Sequence, residues 1–106
     1  MKLYLVVRGD LALGYRVPQL CHAQRLFIEE HPGLELEWYR TSNTVVCLRV
    51  DGAEGLMQLA EDAERAGVAH SVFREPDIGN EPTAMAIAPG SAAKRICRRL
   101  LKCEAP

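Results

Sequence analysis

The sequence predicts an α/β fold, a three-layer sandwich in which helices cover both faces of a mixed four-stranded sheet. Three observations predict it. Short apolar runs rich in β-branched residues alternate with segments of helical periodicity, the pattern of strands joined by crossover helices. The last two such runs are joined by the polar loop 74–82 with no helix between them, so they read either as antiparallel neighbours or as lying across an otherwise largely parallel sheet. The chain has 106 residues, 48% of them apolar and 25% charged. That composition supports one domain over 1–106 with a single core and excludes a disordered chain.

Each element follows from local chemistry. Leu3–Val7 is a continuous apolar run, a strand buried on both faces. Arg8 to Gly14 is a turn-bearing loop. Pro18 suits the first turn of a helix, where its missing N–H costs nothing, and Leu20, Ala23, Phe27 and Ile28 then recur on one helical face. His31-Pro32-Gly33 stops that helix, and Leu34–Tyr39 fits either helix or strand. Thr44–Val50 is a second buried strand, with Cys47 in its core run. Asp51, with Glu54 three residues on, caps a helix whose apolar face is Leu56, Leu59, Ala60 and Ala63, and Gly67 ends it. Val68–Phe73 and Thr83–Ala88 are the third and fourth strands. Ser91 caps a last helix, Ala92–Lys102. The order is β-α-β-α-β-β-α, without internal repeats.

Composition excludes several classes. No apolar run reaches the roughly 18 residues of a transmembrane span, so no membrane role is expected. The opening apolar stretch is too short and wrongly flanked for a signal peptide. With no secretion signal, a cytoplasmic location with reduced thiols is expected of Cys21, Cys47, Cys97 and Cys103. These cysteines form no CxxC pair, and His22, His31 and His70 have no partner at metal-ligand spacing, so no metal site is expected. Phosphate-binding loops, dinucleotide fingerprints and a GxSxG elbow are absent. Net charge is −1 but unevenly spread. Residues 1–50 carry six basic and five acidic groups, 51–85 two and eight, and 86–106 five and one.

Three places stand out chemically. The loop after the first strand and the helix behind it hold Arg8, Asp10, Tyr15, Arg16, Gln19 and His22. Ligands of α/β sheets bind at the carboxyl ends of strands, where helix N-termini point N–H groups outward. Gln19 and His22 share a helix face, and a neutral histidine there can act as a base; the alternative is an inert histidine packed on the sheet. The polar loop 74–82 carries Asp77, which either orients a histidine or closes an Asx-turn near Gly79. The last helix carries Lys94, Arg95, Arg98, Arg99 and Lys102 on two ridges, either a grip for a phosphate backbone or a solvated face. Cys21 beside His22 is a poor nucleophile, because adjacent helix residues do not face each other.

These stretches resemble a known family. Leu5-Val6-Val7-Arg8-Gly9-Asp10-Leu11, then Gln19-Leu20-Cys21-His22-Ala23, is similar to the opening of the type 2 peptidyl-tRNA hydrolases. Trp38-Tyr39-Arg40 before Val45–Val50, Asp77-Ile78-Gly79, and Thr83–Pro89 resemble the family's later segments in order, so the likeness spans nearly the whole chain. It implies a cytosolic α/β domain that hydrolyses the ester joining a peptide to the tRNA 3′ end, with no metal or cofactor. It places His22, Asp77 and Thr83 on active-site positions with Gln19 nearby. It also implies that Arg8 and Arg16 stand near the terminal phosphates, with Thr83 and helix N–H groups on the ester carbonyl and the last helix on the acceptor stem. The family's lysine-bearing turn is shorter here. Tyr15 falls at the lysine position without a gap and Arg16 with a small one, and arginine cannot lose its proton. Two further readings stay open: a catalytically impaired homologue that binds tRNA or a protein through the same cleft, and a homodimer formed through a sheet edge or helix face.

Overall fold

The computed structural model describes residues 1–105. Strands β1 (Lys2–Arg8), β2 (Thr44–Val50), β3 (His70–Glu75), β4 (Glu81–Ile87) and β5 (Leu101–Lys102) form one sheet in the order β3-β4-β1-β2-β5. Helices α1 (Leu13–Glu30), α2 (Pro32–Thr41), α3 (Ala53–Arg65) and α4 (Ser91–Ile96) cover it, and a single 3₁₀ turn, Pro76–Ile78, follows β3. The sheet is mixed but has five strands, not four, and it is not largely parallel. Only β1 and β2 run parallel, while β4 pairs antiparallel with both β1 and β3. The short β3–β4 connection folds β4 back between β3 and β1, which separates these two strands although they run the same way.

Alternation along the strands sorts the core into two layers. Leu3, Leu5 and Val7 face the front, with Leu20, Ala23 and Phe27 of α1 and Trp38 of α2. Tyr4 and Val6 face the back, with Leu48 and Val50, Leu56 and Leu59 of α3, and Ala93 of α4. Each fully buried large apolar side chain in these layers stabilises the fold by roughly 1.5–3 kcal/mol through apolar burial.

Several boundaries differ from expectation for identifiable reasons. The first helix begins at Leu13, so Pro18 sits inside α1, not in its first turn. The ambiguous segment is helical: Pro32 takes the first position of α2, and Trp38 anchors it, donating from Nε1 to the Thr44 carbonyl at 2.7 Å. Neither Asp51 nor Ser91 makes a capping bond. Gly52 and Gly90 occupy those cap positions, and Asp51 instead faces Arg49 Nη1 at 3.5 Å. The end of α3 is as read. Gly67 turns left-handed at φ 71°, and the N–H groups of Gly67 and Val68 close onto the carbonyls of Glu64 and Ala63. Cys47 is half-buried, its thiol meeting that of Cys103 across the sheet edge.

The last helix is the largest departure. It ends at Ile96, and after a turn the chain adds β5 to the outer edge of β2. Covering an edge strand removes a row of unpaired backbone groups, and Cys97 is drawn into the back core at the turn. The helical ridges expected over 92–102 are therefore broken. Lys94 and Arg95 lie on α4, Arg98 and Arg99 in the turn, and Lys102 on β5.

Candidate functional site

A β-bulge builds the site. Phe73 pairs with Ala84 but Arg74 pairs with Pro82, so the β3–β4 register slips at this point. Strict alternation would turn Thr83 to the back with Met85 and Ile87. The extra residue turns it to the front instead, beside Ala84. There the fully buried Thr83 hydroxyl donates to Gln19 Oε1 at 2.5 Å. Gln19, also buried on α1, donates from Nε2 to Glu75 Oε1 at 2.8 Å. The other oxygen of Glu75 accepts the backbone N–H of Asp77 at 3.4 Å. The Tyr15 hydroxyl faces this carboxylate. The result is a continuous polar chain from the core to the rim.

Glu75 is a site residue that the sequence reading missed. Its carboxyl is held below its ordinary value, first by the Gln19 amide, then by the Asp77 N–H and the neighbouring His22 and Tyr15, against the opposing effect of burial. Tyr15 is pushed up, by burial and by the facing negative charges of Glu75 and Asp77. The signal was present in the sequence. If strand three runs on to residue 75, Phe73 and Glu75 share a face.

His22 sits on the exposed side of α1, its ring tilted against Phe73 with centroids 4.9 Å apart. The two rings floor an open hollow of about 320 Å³, walled by Arg25, Leu26 and Glu29. His22 is reachable by solvent and within electrostatic reach of Glu75. Asp77 is exposed in the 3₁₀ turn, and among the described residues no bond joins it to His22. The carboxylate that ties the candidates together is Glu75, not Asp77. The structure also separates Tyr15 from Arg16: Tyr15 faces the site, while Arg16 turns away.

The arginines expected near phosphates are bound within the protein. Arg8 is buried and clamps Asp10 with Nε and Nη2 at 3.0 and 2.8 Å, and Nη1 reaches Glu81 at 2.8 Å and the Pro82 carbonyl at 3.3 Å. The Asp10 bonds, with those to Glu81, raise the Arg8 value, and Arg8 in turn lowers Asp10. Arg16 donates to the carbonyls of Gly9, Leu11, Cys103 and Ala105, tying the chain end to the start of α1. Both are structural clamps here. Gly9 is required beside them, because a Cβ would lie 2.9 Å from Arg49 Cδ and 3.0 Å from the Val50 carbonyl.

The basic segment is on the wrong face for the cleft. Lys94, Arg95 and Arg98 rim a back-face groove floored by Tyr4, Val46 and Leu48. Arg99 lines a second back-face hollow of about 470 Å³ against α3. The sheet stands between these cations and His22. Neither hollow contains a group that the buried polar chain reaches, and the smaller front hollow is the chemically organised one. Burial pushes the Cys97 and Cys103 thiols up to about 12 and about 11, so neither is an activated thiolate. Among the described residues no three His, Cys, Asp or Glu side chains converge as metal ligands, and no helix is long and apolar enough to cross a membrane.

Comparison with known proteins bears on this geometry. The family described as peptidyl-tRNA hydrolase PTH2 matches residues 1–100. A peptidyl-tRNA hydrolase from Haloquadratum walsbyi is 34% identical over 100 residues, covering 86% of this chain and 88% of that protein. Among solved structures, a protein of unknown function from Agrobacterium tumefaciens strain C58 superposes with a TM-score of 0.69 at 15% identity. That likeness, over 95% of this chain and 96% of the other, is one of fold.

Proposed function

The chain belongs to the peptidyl-tRNA hydrolase PTH2 family, and we propose that it hydrolyses the ester between a peptide and the 3′ ribose of tRNA in the cytoplasm, as one domain over 1–106. One observation carries this reading: a solvent-reachable imidazole, His22 on Phe73, stands at the open end of a buried polar chain that ends in Glu75.

A water molecule adds to the ester carbonyl carbon. His22 takes the water's proton as the bond forms and returns it to the ribose 3′ oxygen as the C–O bond breaks. Glu75 and Asp77 place negative charge where the imidazolium develops. The N–H groups of Leu13 and Gly14, at the start of α1, receive the carbonyl oxygen as charge builds on it. Phe73 and Leu26 give the hollow an apolar wall for the acyl group. Lys94, Arg95, Arg98, Arg99 and Lys102 are left out of the cleft contacts.

Release of labelled peptide from N-acylated aminoacyl-tRNA tests the reading. Wild type is expected to release peptide, and His22→Ala to do so about 100-fold more slowly. Equal rates for the two would remove His22 from the mechanism.

The position of Tyr15 favours a second reading. In the ungapped register it stands where the family carries a lysine, and its hydroxyl faces the charges of Glu75 and Asp77. A homologue without turnover would bind tRNA in the same cleft, with affinity falling steeply as salt rises, and would release no peptide.

A further inference from the structure

We propose that Glu75 is the positioning residue of the cleft, fixing Gln19 and Thr83 in a single donor-to-acceptor direction, with the Tyr15 hydroxyl facing its charge. The inference deepens the hydrolase reading and rests on it for its kinetic arm. A carboxylate offers only acceptors, so whatever bonds to Glu75 must donate. Gln19 therefore turns its NH₂ towards Glu75 Oε1, at 2.8 Å. Its carbonyl oxygen is then left facing Thr83, whose hydroxyl has to donate inward, at 2.5 Å. The bulge at Phe73/Arg74 is what places Thr83 within reach.

Two consequences follow. Thr83 cannot supply its proton to an ester carbonyl oxygen, because that proton is bonded inside a fully buried site. The role that the resemblance implies for Thr83 is thus replaced by support of Gln19, and through Gln19 of Glu75. The Tyr15 hydroxyl stands in the field of the same carboxylate. A neutral group at position 75 removes the direction: with amides at both 19 and 75, the chain runs either way, and Tyr15 loses the facing charge.

Glu75→Gln, which keeps size and shape, is the test. Its kcat for peptide release is expected to fall tenfold or more, roughly the cost of a misplaced reacting group, with KM within about twofold. Two readouts do not depend on turnover. In the variant the Tyr15 titration, followed by ultraviolet difference absorbance, moves down in pH, and the Gln19 side-chain NH₂ resonances shift in the NMR spectrum. Glu75→Asp, which keeps the charge, recovers part of the kcat and holds the Tyr15 titration up. Unchanged kcat with an unmoved Tyr15 titration and unmoved Gln19 resonances in Glu75→Gln would overturn the proposal. If wild type itself releases no peptide, the hydrolase reading falls, and the tyrosine and glutamine readouts alone decide Glu75.

Discussion

The two faces of the sheet are built on opposite terms. The back is an ordinary apolar layer, Val6, Leu56, Met85 and Ile87, edged by the cations Lys94, Arg95 and Arg98. The front buries fewer large side chains, against Ala84 and Ala86 of β4 and Ala88 just after it, and admits a polar chain, Thr83–Gln19–Glu75, through its middle. A run of cations stands at the back, while organised polarity is at the front. The difference teaches that a cluster of like charges does not mark the site. Buried groups whose bonds are all accounted for, and which end at an open hollow, mark it better.

Truncation sharpens that contrast most. Leu56→Ala, at a fully buried back position, is expected to cost about 3 kcal/mol of stability and to leave kcat of the folded protein unchanged. Gln19→Ala is expected to cost about 2 kcal/mol, because it leaves a buried hydroxyl and a carboxylate without their partner, and to lower kcat as well. Urea unfolding with kinetics on the same samples checks both. A Gln19→Ala protein with full kcat would break the contrast between the faces.

Acid separates the faces by a smaller effect. Glu75 and Asp10 titrate below their ordinary values of 4.5 and 3.8, held down first by the Gln19 amide and by Arg8 respectively. Their contribution to stability is fully present above those ordinary values and is lost as pH falls through the lower folded-state values. The melting temperature should therefore hold between pH 7 and about 5 and fall below about 4. In Gln19→Ala the acid limb should be shallower, and in Leu56→Ala unchanged in shape. Equal acid limbs in all three proteins would contradict the assignment of Glu75.

Much of this was legible in the residues. Strands β1 and β2, the antiparallel β3–β4 pair, the Gln19–His22 face of α1 and the glycine stop at Gly67 all follow from pattern and turn chemistry. Three things were hidden, each for a physical reason. A bulge shifts register by one residue without changing composition, so the side to which Thr83 turns cannot be counted from alternation. Glu75 sits in a run, Arg74 to Pro82, that reads as solvated loop because its neighbours are polar. The cations at 94–102 have helical spacing, but the exposed edge of β2 recruits the chain end as a strand, and tertiary pairing overrides local pattern. Leu34, Leu36 and Trp38 alternate like a strand, yet one buried indole and its bond to Thr44 hold the segment as a helix.

The most direct measurement is single-turnover peptide release at saturating protein, where differences in tRNA affinity drop out. Wild type and the back-face double variant Lys94→Glu/Arg98→Glu are expected to share one rate, with His22→Ala about 100-fold slower. Loss of rate in the back-face variant with His22→Ala as fast as wild type would place the chemistry on the other side of the sheet and contradict the account.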